Sequence, residues 1–395
     1  MALAGNHIWA TIETTETTGS FYRIYLRILQ TIGGDDVLIG EDAVEPDDQL
    51  QSTFDLHAWL QTLFTNYQFT YRTSGLMFWK TDFLKPYFFD YKEVYYDGST
   101  LVTGDATEES TRYILNGRFT DLYNQNYENQ NRSYFDDVVD NKLFLTLQPR
   151  TKTIDINQSE RLYFLNHDVA VSSLNLNVKV YFSDATDQTI NKATLVASQY
   201  SVYEIACGFK DFDLSALEST NKLVVKYEVW ISAQDSTMIS EVFTYKVDRK
   251  KYVNVRYLVF RNRAGGYDTV RCFGILTADN EFEHQTGITY AGKIKVNTQA
   301  IERFTVNTGL ISANYNYYLQ ELFESIEVWE ISGEGVFGIT IENKKTEARQ
   351  GNKFVFNQTV EYTRDLISEL FTPDNNPLQL FGDYSYLDYS YDYNI

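Results

Sequence analysis

The run FYRIYLRIL, Phe21 to Leu29, sets Tyr22, Ile24, Leu26 and Ile28 against Arg23, Tyr25 and Arg27. Alternation with period two gives an extended chain one apolar and one polar face; it does not make a helical stripe. The pattern recurs in LNVKVYF, KLVVKYEVWIS, EVFTYKV, GKIKVNTQ, RFTVNTG, FGITIENK and KFVFNQTVEYT, with LFLTLQ and RLYFLN read as further members. Many short alternating runs separated by polar turns predict sheets stacked as sandwiches. The 31 Tyr and 26 Phe against 3 Met and 5 Pro support this, because aromatic side chains fit half-buried pleated surfaces. The expected fold is mainly β: two or three chained β-sandwich-like domains with a few short covering helices.

Two segments break the alternation. In DLHAWLQTLF, Leu56, Trp59, Leu60 and Leu63 follow helical spacing, and Leu319, Leu322, Phe323 and Ile326 repeat it. Each predicts a short helix laid on a sheet. The expected units are residues 1–142 (β-rich, one helix and a Tyr/Asn-rich arm), 143–249 (β-sandwich-like), 250–370 (β with one helix) and an acidic Tyr-rich tail at 371–395. The arm TDLYNQNYENQNRSYFDD reads as a long loop, and such loops tend to be functional or disordered. The tail alternates Tyr and Asp and lacks basic residues. It reads as a frayed end or as a strip that adds a strand to a neighbour's sheet edge.

Double glycines mark turns. IGGDDV follows the first long strand, and LVFRNRAGGYDTVRCFG holds Gly265 and Gly266 between two apolar runs. A phosphate loop runs into a helix N-terminus, whereas TVRCFGIL continues as a strand. The hairpin reading follows, with both glycines expected at positive φ. The arginines around this turn are expected to pair with neighbouring acids or to contact other proteins.

The net charge of −20 argues against nucleic acid and anionic membranes as partners. No stretch approaches the roughly 18 apolar residues of a membrane helix. The N-terminal residues lack a basic region followed by an apolar one, so no signal peptide is expected. Cys207 and Cys272 form no CxxC and no disulfide framework. There is no GxxxxGK[ST], GxGxxG, HExxH or GxSxG motif. The four histidines, His7, His57, His167 and His284, are widely spread in the sequence. No catalytic residue, metal site or cofactor is expected. Asp211 with Asp213, and Glu281 with Glu283, are nominal carboxylate pairs for glycoside hydrolysis, but solvated strand-edge charge explains them as well.

The segments FRNRAGGYDT, KVNTQAIERFTVNTGL, LQELFESIEVWEI and FGITIENKKTEARQGNKFVFNQTVEYT resemble the C-terminal part of virion structural proteins from phages and prophages of Bacteroidota hosts. TTGSFYRIYLRIL and QPRTKTIDINQSERLYFLN are similar to the same group. The chain departs from that pattern at ESIEV, where a proline is expected, and at Arg263, where an apolar residue is expected. The resemblance implies a tail or baseplate component of the virion, formed in the host cytoplasm, with other virion proteins and copies of itself as partners, and not an enzyme.

The expected interface residues are Tyr123, Tyr127 and Tyr134 in the arm, Arg261, Arg263, Tyr267 and Asp268 in the hairpin, and Tyr386, Tyr389 and Tyr391 in the tail. The alternative is a carbohydrate-binding or receptor-recognition module for a host surface glycan, stacking sugars on Trp79, Phe88, Phe89, Tyr95 and Tyr96. A virion glycosidase using acids such as Asp211 or Glu283 is a third reading.

Overall fold

A computed structural model describes residues 1–14, 20–64, 74–119, 132–289, 292–333, 335–350, 353–364 and 368–369. Tyr123, Tyr127 and most of the arm, and the tail with Tyr386, Tyr389 and Tyr391, lie outside the described residues.

The chain is mainly β, as its alternation predicts. The N-terminal part contains β1 (Ala2–Leu3), β2 (Trp9–Glu13), β3 (Ser20–Ile32), β4 (Asp35–Val44), β5 (Gln51–Asp55), β6 (Met77–Trp79), β7 (Leu84–Tyr96), β8 (Leu101–Thr103), β9 (Thr107–Glu108) and β10 (Arg112–Leu115). Helix α1 (His57–Gln61) follows β5, and α2 (Tyr134–Asp140) follows the arm. One sheet runs β1-β10-β7-β3-β4, with β8 and β9 on β7; β2 and β5 form a separate pair. Ile24, Leu26 and Ile28 of β3 are fully buried against Phe54, Leu60 and Phe89. Each such side chain removed from water stabilises the fold by roughly 1.5–3 kcal/mol. The β3–β4 turn uses Gly33 and Gly34 at φ 66° and 100°, as IGGDDV predicts.

The middle part contains β11 (Thr151–Asp155), β12 (Arg161–Asn166), β13 (Ser173–Phe182), β14 (Asp187–Val196), β15 (Ser201–Ala206), β16 (Val224–Ser232) and β17 (Phe243–Asp248). A five-stranded sheet, β11-β17-β16-β13-β14, faces a three-stranded one, β12-β15-β6. Alternate residues of β13, from Leu174 to Phe182, fill the space between them with Leu162, Phe164 and Ile205. This is a β-sandwich, and its third short strand, β6, comes from the N-terminal part.

The C-terminal part contains β18 (Arg256–Arg261), β19 (Tyr267–Cys272), β20 (Leu276–Thr289), β21 (Gly292–Asn307), β22 (Ile311–Ser312), β23 (Val328–Ser332), β24 (Gly335–Ile341), β25 (Val355–Phe356), β26 (Thr359–Arg364) and β27 (Ser368–Glu369). Helices α3 (Ala313–Tyr318) and α4 (Gln320–Glu324) cross the sheet β19-β18-β23-β24-β26-β21-β20, with β27 on β21. Leu319 and Leu322 are buried as their spacing predicts. Ile326 is not: α4 stops at Glu324, so the helical spacing no longer applies and Ile326 is 89% exposed.

LFLTLQ is not a strand. Its backbone is held by single partners instead of a ladder: the Leu145 N–H donates to the Tyr163 carbonyl at 2.8 Å, and the Phe144 N–H to Glu241 Oε1 at 3.0 Å. RLYFLN is a strand, but it does not alternate between core and solvent. Leu162 and Phe164 enter the sandwich core, while Tyr163 and Leu165 enter a second cluster that includes Leu3, Phe83, Leu115, Val259 and Tyr267. That second cluster takes residues from all three parts of the chain.

Candidate functional site

The hairpin β18–β19 answers the question its sequence poses. Only Gly265 adopts positive φ, at 90°. Gly266 serves a different need, close approach: a Cβ there would lie 2.6 Å from Tyr163 Cδ2 and 3.0 Å from the Leu145 carbonyl oxygen. The Asn262 side chain ties the turn, accepting the Gly266 N–H at 2.9 Å and donating to the Leu145 carbonyl at 3.0 Å.

Every residue of β19 is buried. Tyr267 and Asp268 are therefore core residues and not interface candidates. The Tyr267 hydroxyl donates to Glu327 Oε2 at 2.8 Å. Asp268 Oδ2 accepts the hydroxyls of Thr146 at 2.7 Å and Tyr318 at 3.0 Å. Burial pushes the Asp268 carboxyl above its ordinary range, against the pull of Thr146 and Lys152. Beside it, Lys152 Nζ meets Glu160 Oε2 at 2.9 Å and Gln148 Oε1 at 3.2 Å, with both charged side chains essentially inaccessible. Burial lowers the Lys152 ammonium, but Glu160, Tyr315 and Asp268 together outweigh it and hold the group above its ordinary value. Glu321 on α4 is also buried. Desolvation, reinforced by Asp268, pushes its carboxyl up to about 8. The buried Lys152–Glu160 pair is satisfied internally, and such a pair costs several kcal/mol when one member is removed.

Arg261 and Arg263 are turned to intramolecular partners. Arg261 donates to the side chain and carbonyl of Asn116, and Arg263 pairs with Glu324. Both line a groove of about 720 Å³ with Arg118, Glu321 and the exposed Ile326. Tyr134, expected in a loop, sits in α2. A capping box between Ser133 and Asp136 starts that helix, and the Tyr134 ring packs edge-on against Phe119 at 4.8 Å. It is 5% exposed, so it is not a surface contact.

The aromatic candidates for sugar stacking do not form one face. Phe88 and Phe89 are buried in β7, and Tyr95, at the end of that strand, stacks on Tyr22 at 5.7 Å. Trp79 is 58% exposed but lies on β6 in the sandwich, a different sheet from Tyr95 and Tyr96. The carboxylate pairs are likewise engaged. Asp211 bonds Arg161 at 3.0 Å, and Asp213 is a left-handed residue starting a 3-10 turn. Glu281 pairs with Arg303 at 2.6 Å on an open ribbon. Cys207 and Cys272 are free and buried. Burial pushes both thiols up, Cys272 to about 12, so neither is a nucleophile at neutral pH.

Two features were not anticipated. The first is the length and openness of β20–β21. Among the described residues strand β20 bonds only to β21, leaving a 14-residue edge. At roughly 3.3 Å per residue it is about 45 Å long. From Thr277 to Thr286 its side chains are exposed on both faces, with Phe282 51% and Ile288 90% accessible. The β21 side near the tip carries exposed Lys293 and Lys295. An isolated two-stranded ribbon is marginal in water.

The second is a polar cluster at the N-terminal end. The β2–β5 ladder pairs Trp9 with Asp55, which brings His7 together with Asp55, 48 positions along the chain, and with His57. Among the described residues, one group of three His, Cys, Asp or Glu side chains offers ligand atoms all within 4.8 Å of one another, and it is this one.

In comparisons with known proteins, the chain matches no protein-family model and no curated protein sequence.

Proposed function

We propose that the protein is a structural component of a bacteriophage virion, a tail or baseplate subunit that assembles by contacts with copies of itself and with other virion proteins. The observation that carries the assembly reading is the β20–β21 ribbon. A long strand at the edge of a sheet is a template for another chain, and β20, exposed on both faces from Thr277 to Thr286, gains stability when a partner covers it. The tip lysines suit an acidic surface, and a second copy of a chain with net charge −20 provides one. A ribbon laid on the next copy is a head-to-tail contact, the kind that closes into a ring. The virion assignment itself comes from the resemblance of the hairpin, helix and C-terminal strand segments. The buried hairpin and the dispersed aromatics favour this reading over glycan recognition, which needs a continuous stacking face.

Quantitative mass spectrometry of particles purified from the source culture tests the proposal. A fixed ratio of this chain to a major capsid protein supports it, and the ratio reports the symmetry of the ring. Absence from particles, with abundance in cells, removes the virion reading.

A further inference from the structure

We propose that His7, Asp55 and His57 form a binding site for one divalent first-row transition metal ion, zinc being the best match. Two imidazoles and one carboxylate are the donors that such ions select, while Ca²⁺ and Mg²⁺ prefer oxygen-only shells. Three protein ligands leave a fourth tetrahedral position for water or an incoming group.

The geometry is prearranged by the fold. His7 precedes β2, Asp55 ends β5, and His57 opens α1. The strand pairing is extended by the Leu56 N–H, which donates to the Ile8 carbonyl at 2.9 Å, so both segments are fixed by backbone bonds. The Asp55 carboxylate is divided in its duties. Its Oδ1 accepts the backbone N–H of His57 at 3.1 Å and of Ile8 at 3.4 Å. Its Oδ2 faces His7 Nδ1 at 2.6 Å. One oxygen is thus anchored and the other aims at the ligand position, as supporting bonds around metal carboxylates do. A cation entering the cluster replaces the proton between His7 and Asp55. His7 Nδ1 releases that proton to solvent and binds the metal with its lone pair, so the charge balance closes without any co-reactant. The net negative charge of the chain further raises the local concentration of cations.

Trp9 supplies a reporter. Its ring stacks on His7 with centroids 5.6 Å apart, so a paramagnetic ion held at this cluster quenches its fluorescence. The test is titration of the full-length protein with Zn²⁺ by calorimetry and with Cu²⁺ by tryptophan fluorescence. The expected result is one Zn²⁺ per chain, with affinity falling about 100-fold or more in His7→Ala and in His57→Ala. His7 is 61% exposed in its side chain, so its replacement leaves the fold intact. Trp9→Phe retains Zn²⁺ affinity but loses most of the Cu²⁺ quench. His284→Ala, on the ribbon, binds as the parent does. Failure of Zn²⁺ to saturate below about 1 mM, or equal affinity in the parent and both histidine variants, overturns the proposal.

Discussion

Two hairpins follow one another in the C-terminal part, and they are opposites. In β18–β19 the second strand is buried along its whole length, between the cluster that holds Tyr163 and the one that holds Leu258 and Phe304. In β20–β21 the first strand is exposed along most of its length and, among the described residues, bonded on one edge only. In the sequence the double glycine marks β18–β19 as a hairpin, and the alternating runs GKIKVNTQ and RFTVNTG mark β21, while β20 carries no such pattern. The difference lies in what faces them, and it separates a strand that organises the molecule from a strand whose side chains are left to solvent.

The comparison breaks first at the buried hairpin's polar neighbours. Lys152→Met strands the Glu160 carboxylate without its partner and destabilises by about 3–5 kcal/mol; the double variant Lys152→Met/Glu160→Leu recovers part of that loss. Chemical denaturation of the three proteins checks both statements. The next effect is the pH response of Glu321. Its carboxyl is raised from 4.5 to about 8 in the folded chain, so the native state holds a proton that the unfolded state has released. Stability is unpenalised below about pH 4.5 and falls as pH rises toward 8. Glu321→Gln removes this loss while keeping an oxygen for the Arg263 N–H. It stabilises by about 2–4 kcal/mol at pH 8 and by little at pH 4. Melting curves at the two pH values report the difference, and an equal shift at both removes the argument.

Gly266→Ala tests the close approach of the turn to Tyr163. Overpacking of this kind costs about 1–3 kcal/mol, whereas a glycine present only for turn flexibility would cost less. The smallest effect on stability belongs to the ribbon. His284 and Thr298 face each other across the ladder, and β27 pairs with Gln299 and Ala300 next to them, so residues 285–297 can be replaced by Asn-Gly with a two-residue turn without touching β27. The body's stability changes by about 0.5 kcal/mol or less. The shortened chain remains monomeric by sedimentation under conditions where the parent associates. Persistent association by the shortened chain directs attention to the groove around Arg263 and Ile326.

Much of the architecture was legible because it is local. The alternation of Leu174, Leu176, Val178 and Val180 marks one buried face, and the helical spacing of Leu319 and Leu322 marks another. What escaped was set by distant partners. Arg161 opens the alternating run RLYFLN, where the pattern carries no sign of its burial, yet it is buried beside Glu204 and Asp211. Tyr267 and Asp268 read as surface polar residues beside a turn, but Glu327, Thr146 and Tyr318 bury them. LFLTLQ carries strand composition and takes an irregular course because Tyr163 and Glu241 claim its amides. The His7, Asp55, His57 cluster has no local signature at all: it exists only once β2 is registered against β5. Of the ribbon, β21 was visible as strand through GKIKVNTQ and RFTVNTG, whereas β20, exposed on both faces from Thr277 to Thr286, carries no alternation to record.

Strand β12 has a mechanical meaning beyond its packing. With alternate residues committed to two different cores, it leaves no slip plane between the sandwich and the rest of the molecule. The amides of β12 exchange with solvent only when everything melts together. A subunit built this way behaves as a stiff strut, so the curvature of any ring it forms is written into the shape of the single copy and not into a hinge.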